Sequence, residues 1–150
     1  MRVLPQDPDH LAVVVNCDGA ARGNPGPAGI GVVIASPDGT VIDTIAQGLG
    51  ETTNNVAEYI AAREGLRRAA ELGAQEVLLR SDSRLLIEQL AGRYRVKAPH
   101  LKPLHAEILG LVRGFARIRF EHVPRERNVD ADRLANVGVD RWLAERERRD

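Results

Sequence analysis

The sequence predicts an α/β fold in which a five-stranded mixed sheet carries helices on both faces. Apolar runs of strand length alternate with longer segments of helical periodicity, in the order three strands, helix, strand, helices, strand, helix. Short turns predict that the first three strands form an antiparallel meander. A right-handed crossover through the first helix can then place the fourth strand beside the first and parallel to it. We expect the last two strands to run parallel to the first.

The first half of the chain supplies the meander and one long helix. An apolar run at Leu11–Cys17 predicts a strand covered on both faces, and the segment Gly19–Gly29 is rich in turn residues. Strands are predicted at Ile30–Ala35 and Thr40–Gln47, with a Ser-Pro-Asp-Gly turn between them. A helix at Val56–Leu72 follows the capping sequence Thr-Thr-Asn-Asn, and a glycine ends it.

The second half is predicted to add two strands and three helices. Each segment shows the period of its element, and no internal repeat or low-complexity block interrupts them. A polar segment, Gly92–Pro103, is predicted to be a loop. The elements are strand Glu76–Arg80, helix Ser83–Ala91, helix Leu104–Phe115, strand Ile118–Val123 and helix Asp130–Ala144.

Length and composition indicate a single domain. With 150 residues, 43% hydrophobic and 28% charged, the chain can bury a substantial core. We predict a lead-in at residues 1–10, the domain at residues 11–144 and a charged tail at residues 145–150. The 21 basic and 21 acidic residues cancel, so any nucleic-acid binding must depend on local patches.

Cysteine content and hydropathy narrow the possible locations. A single cysteine, Cys17, excludes an intrachain disulfide and a zinc cluster of cysteines. The sequence has neither a recognisable signal peptide nor an apolar run long enough to span a bilayer. We therefore predict a cytoplasmic protein, with no membrane partner, that is a monomer.

Four acidic residues occupy positions where an apolar or neutral side chain would be ordinary: Asp18, Glu58, Asp82 and Asp132. The first and third follow strands predicted to be neighbours, and the two helical acids lie on the stripes that should pack on the sheet. Any one of them could simply cap a helix or turn. Together they predict a buried carboxylate cluster, which repels itself unless cations or protons compensate it.

The motifs around these acids resemble type 1 ribonuclease H. The resemblance covers roughly residues 12–139, and four motifs in this order are far more specific than any one of them. The motifs are Cys17-Asp-Gly-Ala followed by Gly23-Asn-Pro-Gly-Pro-Ala-Gly as the first, then Thr52-Thr-Asn-Asn-Val-Ala-Glu, Ser81-Asp-Ser and Pro124-Arg-Glu-Arg-Asn-Val-Asp-Ala-Asp-Arg-Leu-Ala.

The resemblance implies a ribonuclease H-like fold and a metal-dependent endoribonuclease. Such an enzyme hydrolyses the RNA strand of RNA–DNA hybrids and leaves 5′-phosphate and 3′-hydroxyl ends. It also implies two Mg²⁺ ions, with Mn²⁺ as a possible substitute, held by the four carboxylates. Asp18 would contact both ions, Asp132 the ion beside the attacking water, and Glu58 and Asp82 the ion beside the leaving group. Cys17 is then a small core residue.

The resemblance also implies a set of substrate contacts. Asn24 and Asn54 would lie near the minor groove and the RNA 2′-hydroxyls, and Asn55 with Thr53 near a DNA phosphate. The Thr-Thr-Asn-Asn sequence can cap the helix at the same time. The full predicted substrate-binding set is Asn24, Thr53, Asn54, Asn55, Arg84, Arg93, Arg95, Lys97 and Asn128.

The chain departs from the family pattern at several positions. Many relatives carry a longer basic handle where this chain has only Gly92–Pro103, so we expect a weaker and salt-sensitive grip on phosphates. Arg84 stands where glutamine is common. The loop before the last carboxylate helix lacks the histidine that many relatives have. We interpret His122 as structural, and Arg125 or Glu126 as a substitute for that histidine.

Two other functions remain open at this point. A related carboxylate nuclease could cut another nucleic-acid structure, such as a junction or a transposon end, without needing asparagines that detect 2′-hydroxyls. A module that only binds hybrids is the non-enzymatic alternative, but buried negative charge facing phosphate would bring it no benefit.

Overall fold

A computed structural model describes residues 10–149. The predicted lead-in therefore lies outside the described residues, except for His10, as does Asp150. The strands are β1 (Leu11–Ala21), β2 (Gly26–Ala35), β3 (Val41–Thr52), β4 (Ala74–Ser81) and β5 (Arg117–His122). The helices are α1 (Asn54–Glu71), α2 (Arg84–Leu90), α3 (Lys102–Val112) and α4 (Val129–Arg149), with short 3₁₀ turns at Pro99–Leu101 and Arg125–Arg127.

The five strands form one mixed sheet in the order β3-β2-β1-β4-β5. Strands β1, β2 and β3 pair antiparallel, while β4 pairs parallel with β1 and β5 pairs parallel with β4. The predicted meander and crossover are confirmed. The pairing of β1 with β4 reaches Asn16 opposite Arg80, so Asp18 and Asp82 each follow two residues beyond this pair.

Helices cover both faces of the sheet, as predicted. On one face α1 packs so closely that a Cβ on Gly65 would lie 2.9 Å from the Val15 side chain and 3.3 Å from that of Val32. On the other face α4 lies on β2, where a Cβ on Gly31 would lie 1.9 Å from the Ala131 carbonyl oxygen. Successive residues of β2 thus face different helices, and the main core lies between the sheet and α1.

The glycine-rich segment after Asp18 is mostly strand, which corrects the prediction of a turn. Strand β1 continues to Ala21 and β2 begins at Gly26, so Asp18 lies inside β1, opposite Gly31. Gly19 and Gly29 lie in the strands because the backbones of α1 and α4 approach the sheet there without room for a side chain.

Helix α4 continues to Arg149, although the sequence predicts its end at Ala144 and a charged tail after it. Trp142 packs against Gly48 of β3, and the guanidinium of Arg146 lies 5.3 Å from the centre of the Trp142 ring. Basic side chains in the last turn also suit the negative end of the helix dipole. No helix among residues 10–149 is long and apolar enough to cross a membrane.

Candidate active site

One open cavity collects all four predicted carboxylates. Strand β1 contributes Asp18, helix α1 contributes Glu58, the end of β4 is followed by Asp82, and the first turn of α4 contributes Asp132. The cavity has a volume of about 450 Å³, and its lining also includes Asn54, Ser83, His122 and Arg125. It lies beyond the carboxyl ends of the parallel strands, where α/β folds bind their ligands.

Gly19 lets α1 approach β1 closely enough for Glu58 to reach Asp18. A Cβ at Gly19 would lie 2.2 Å from the Ala57 carbonyl carbon and 2.3 Å from the Glu58 nitrogen. The Gly19 N–H donates to Glu58 Oε1 at 2.8 Å, and Ser81 Oγ donates to Glu58 Oε2 at 3.5 Å. Neither Gly19 nor Ser81 is predicted from the sequence to position a carboxylate, although each directly adjoins a predicted carboxylate in the chain.

Three of the carboxylates are close enough to bind one metal ion together. Asp18, Glu58 and Asp82 each offer an oxygen, and these oxygens all lie within 4.8 Å of one another. Asp18 is 6% exposed and Glu58 4%, whereas Asp82 and Asp132 are half-buried. Besides burial, the Asp132 side chain is among the causes that raise the pKa of Asp18, so Asp18 adjoins all three of the others.

The cluster is under electrostatic strain. Burial, Glu58 and Asp82 raise the pKa of Asp18, and burial followed by Asp82 raises the pKa of Glu58. Among residues 10–149, none of the four carboxylates takes part in an ion pair with a basic side chain. Burial is also the main cause that raises the pKa of Cys17, a core thiol as predicted.

The donor set fits a hard divalent cation. Carboxylate oxygens are the ligands that Mg²⁺ and Mn²⁺ favour, and no His or Cys side chain joins the triad of Asp18, Glu58 and Asp82 in the described part of the chain. A cation here would replace the missing basic partner and relieve the repulsion among the acids.

Asn128, predicted to contact substrate, is instead turned into the protein. It is 2% exposed. Its Nδ2 donates to the Cys17 carbonyl at 2.9 Å, and its Oδ1 accepts from Asn16 Nδ2 at 3.1 Å. The Asn128 carbonyl accepts the Asp132 N–H at 3.1 Å. Asn128 therefore joins the strand that carries Asp18 to the helix that carries Asp132, which disfavours a direct substrate contact.

The other predicted polar contacts lie around the beginning of α1. Asn24, Asn54 and Asn55 are exposed, and Asn54 lines the cavity. Asn24 Oδ1 accepts the Asn54 N–H at 3.0 Å, which leaves the Asn24 amide group free to donate outward. Thr53 caps α1 by accepting the Val56 N–H at 3.3 Å, so the capping role holds.

The cavity lining also includes a histidine and an arginine. His122 lies in β5, as predicted, and is the last residue of that strand; its Nε2 lies 3.3 Å from the Asp82 carbonyl oxygen. His122 also lines the cavity, although from the sequence we interpret it as a structural residue. Arg125 also lines the cavity, whereas Glu126 is absent from its lining.

The predicted basic residues differ in how their charges are compensated. Arg93 forms a two-point ion pair with Glu88 of α2, at 2.6 and 2.9 Å. Hydrogen bonding from Arg93 lowers the pKa of Glu88. Arg84, Arg95 and Lys97 are exposed and take part in no ion pair within residues 10–149.

Comparisons with known proteins agree with this site. A family described as reverse transcriptase-like matches residues 16–138. A bifunctional protein of Mycobacterium tuberculosis is 47% identical over 131 residues, which are 87% of this chain and 36% of that protein. A ribonuclease H of Pseudomonas entomophila is 32% identical in an alignment of 149 positions, which covers 90% of this chain and 98% of that protein.

Solved structures give the same result. LC11-RNase H1, solved in complex with an RNA/DNA hybrid, is 42% identical and has a TM-score of 0.84, over 87% of this chain and 99% of that one. The present chain spans only about a third of the mycobacterial relative, at 36%. The matched motifs, the sheet order and the carboxylate cavity lead to one conclusion: this chain belongs to the ribonuclease H family.

Proposed function

We propose that this chain is a metal-dependent endoribonuclease that hydrolyses the RNA strand of RNA–DNA hybrids and leaves 5′-phosphate and 3′-hydroxyl ends. The observation that carries the proposal is the convergence of four acids from four elements in one open cavity, three of them within 4.8 Å. The hybrid bound by LC11-RNase H1 supports this choice of substrate.

In this proposal the carboxylates hold two Mg²⁺ ions, with Mn²⁺ as an alternative. Bound divalent ions would supply activation of the attacking water and stabilisation of the departing 3′ oxygen. Asp18 would help to hold both ions, and its position beside the three other acids supports this role. Glu58 and Asp82 would hold the ion that stabilises the leaving group, and Asp132 would help to hold the ion that activates the water. Gly19 and Ser81 hold the Glu58 carboxylate in place.

Selectivity for the hybrid would depend on the asparagines beside α1. Asn24 presents its amide as a donor because its carbonyl is already bonded to the Asn54 N–H. Asn54 lies on the cavity wall. Amide groups of this kind can bond a 2′-hydroxyl, which is present in RNA and absent from DNA. Thr53 and Asn55 would bind a DNA phosphate, Arg84 would alter the minor-groove contact, and Arg93, Arg95 and Lys97 would bind phosphates further along.

Cleavage of labelled, sequence-matched hybrid, RNA duplex and DNA duplex tests the proposal. We expect cutting of the hybrid alone, with Mg²⁺ or Mn²⁺ present and not with chelator. Binding without cleavage in every metal would favour the hybrid-binding module. Equal cutting of the DNA duplex would favour a nuclease for another nucleic-acid structure.

The monomeric state and the cytoplasmic location stay predictions, as do the bounds of the domain. Sedimentation at several concentrations tests the first, and a concentration-dependent rise in mass would refute it. A fluorescent fusion tests the second.

A further inference from the structure

A buried polar link connects α1 to the basic segment, residues 92–103. Tyr59 of α1 is 1% exposed and Gln89 of α2 is 5% exposed. The Tyr59 hydroxyl donates a hydrogen bond to Gln89 Oε1. Tyr59 directly follows Glu58 in α1, so one end of the link is covalently next to a carboxylate of the active site.

The other end of the link holds the backbone of the basic segment. Gln89 Nε2 donates to the Arg95 carbonyl oxygen at 3.2 Å, and the Gln89 carbonyl accepts from His105 Nε2 of α3 at 3.2 Å. One buried amide side chain therefore bonds α1 at its oxygen and the basic segment at its nitrogen.

The link is needed to hold the basic segment because that segment has little regular structure of its own. Between the end of α2 and the 3₁₀ turn at Pro99 no helix or strand fixes the chain. Its start is held by the Arg93 and Tyr94 N–H groups, which donate to the Glu88 carbonyl at 2.9 and 3.1 Å. Burying a glutamine amide is costly unless its groups are bonded, and an apolar residue would fill this position at lower cost.

We infer that Tyr59 and Gln89 are positioning residues that hold the basic segment so that Arg95 and Lys97 face the phosphates of the substrate. The inference rests on the proposed function. Because Glu58 and Tyr59 are consecutive, the link also sets the distance between the cleavage site and the phosphate contacts. Arg93 contributes less, because Glu88 already compensates its charge.

Steady-state cleavage of a labelled hybrid by Gln89→Leu, Gln89→Glu and Tyr59→Phe tests the link. Gln89→Glu keeps an acceptor for Tyr59 and removes the donor to Arg95. Each variant should raise KM about 3- to 10-fold. The loss of one hydrogen bond lowers the fraction of molecules in which the basic segment is held in place, and KM rises in proportion. We expect kcat to stay within about 2-fold, because the carboxylates are untouched.

Salt dependence separates positioning from a general loss of stability. If the segment no longer holds its phosphates, the slope of log KM against log salt should fall by roughly 0.9 for each lost contact. Asp43→Asn is the matched control. It removes the charge of the carboxylate that Arg68 bonds at 2.6 Å, a pair outside the cavity lining, and should lower the melting temperature while KM and the slope stay unchanged.

A double-mutant cycle completes the test. In an Arg95→Ala, Lys97→Ala background, Gln89→Leu should no longer raise KM, because the segment has no phosphate contacts left to lose. If that background itself leaves KM and the salt slope of wild type unchanged, the phosphate-binding part of the proposed function fails. If it raises KM but folded Gln89→Leu and Gln89→Glu do not, or if the losses add in full, the positioning role is wrong.

Discussion

Replacing Asp18 by asparagine should stabilise the metal-free protein and abolish cleavage. Two unit charges 4.8 Å apart, the outer limit for the triad, repel by about 3.5 kcal/mol at an effective dielectric constant of about 20. Three ionised acids would then cost on the order of 10 kcal/mol, comparable to the whole stability of a domain. The metal-free site therefore binds a proton, and Asp18→Asn removes the need for it.

The size of the effect follows from the pH. The pKa of Asp18 is raised from its ordinary value of 3.8, by burial first and then by Glu58 and Asp82. At pH 7 the carboxyl is ionised in the unfolded chain. If it stays protonated in the folded protein, it lowers the free energy of unfolding by at most about 4 kcal/mol, at 1.36 kcal/mol per pH unit. We expect a gain of about 2–4 kcal/mol for Asp18→Asn, or roughly 5–15 °C in melting temperature.

The pH dependence has a definite sign. A carboxyl with a raised pKa contributes stability that is present below the unfolded pKa and is lost as pH rises toward the folded pKa. The advantage of Asp18→Asn should therefore be near zero at about pH 4 and grow with pH. Saturating Mg²⁺ should shrink it, because the cation stabilises only the intact site.

Urea denaturation from pH 4 to pH 8, with chelator and with Mg²⁺, measures this directly. Asp43→Asn is the control of opposite sign. The hydrogen bond from Arg68 lowers the pKa of Asp43, so its loss should destabilise the protein at neutral pH and matter less in acid. A gain for Asp18→Asn that does not change with pH would refute the repulsion argument. Turnover like that of wild type would refute the catalytic role.

Three further predictions concern the substrate. Arg95→Ala should lower the salt slope of KM by roughly 0.9, and Arg93→Ala by less, because Glu88 already pairs Arg93; equal effects would contradict the pairing. Asn54→Ala should slow hybrid cleavage about 10-fold, and less on a hybrid with 2′-deoxy substitutions at the cut site; fully additive losses would argue against direct contact. The loop before α4 has no histidine, and Arg125 lines the cavity whereas Glu126 does not. Arg125→Ala should therefore lower kcat more than Glu126→Ala does.

The order of elements and the identity of the acids could be predicted because each depends on local pattern. Hydrophobic period and turn chemistry define the strands and helices. The four carboxylates stand out because two follow strands predicted to be neighbours and two lie on helical stripes that pack on the sheet. Topology then brings Asp18 beside Asp82, since crossover handedness leaves few alternatives.

What could not be predicted depends on contacts between distant segments. Gly29 lies within β2, where the backbone of α4 packs against the sheet, whereas the residues around it predict a turn. The pairing of Arg93 with Glu88 requires the chain to turn back on α2 after Gly92. The last turns of α4 persist where Trp142 and Arg146 contact each other beside β3, beyond the residue where its amphipathic pattern ends.

Asn128 gives the sharpest test of how the site is assembled, because its two interpretations predict different measurements. As a substrate contact, its loss would raise KM and leave stability unchanged. As the buried bridge seen here, Asn128→Ala removes the side-chain donor to the Cys17 carbonyl, at a cost of about 1–3 kcal/mol for this buried group. The Asn16 amide also loses a bond but keeps its 3.3 Å bond to the Arg127 carbonyl.

The bridge interpretation also predicts a kinetic effect. Without Asn128, the first turn of α4 is no longer tied to β1, so Asp132 loses its fixed distance from Asp18. We expect kcat to fall about 10- to 100-fold with KM nearly unchanged, since small displacements of a catalytic group are costly. Asn136→Ala, one turn further along α4, is the control, because it removes a bond to the Asp132 carbonyl within the helix and an exposed bond from Arg22 at 3.2 Å, and leaves the Asn128 bridge intact. A raised KM with an unchanged melting temperature for Asn128→Ala would restore the substrate contact.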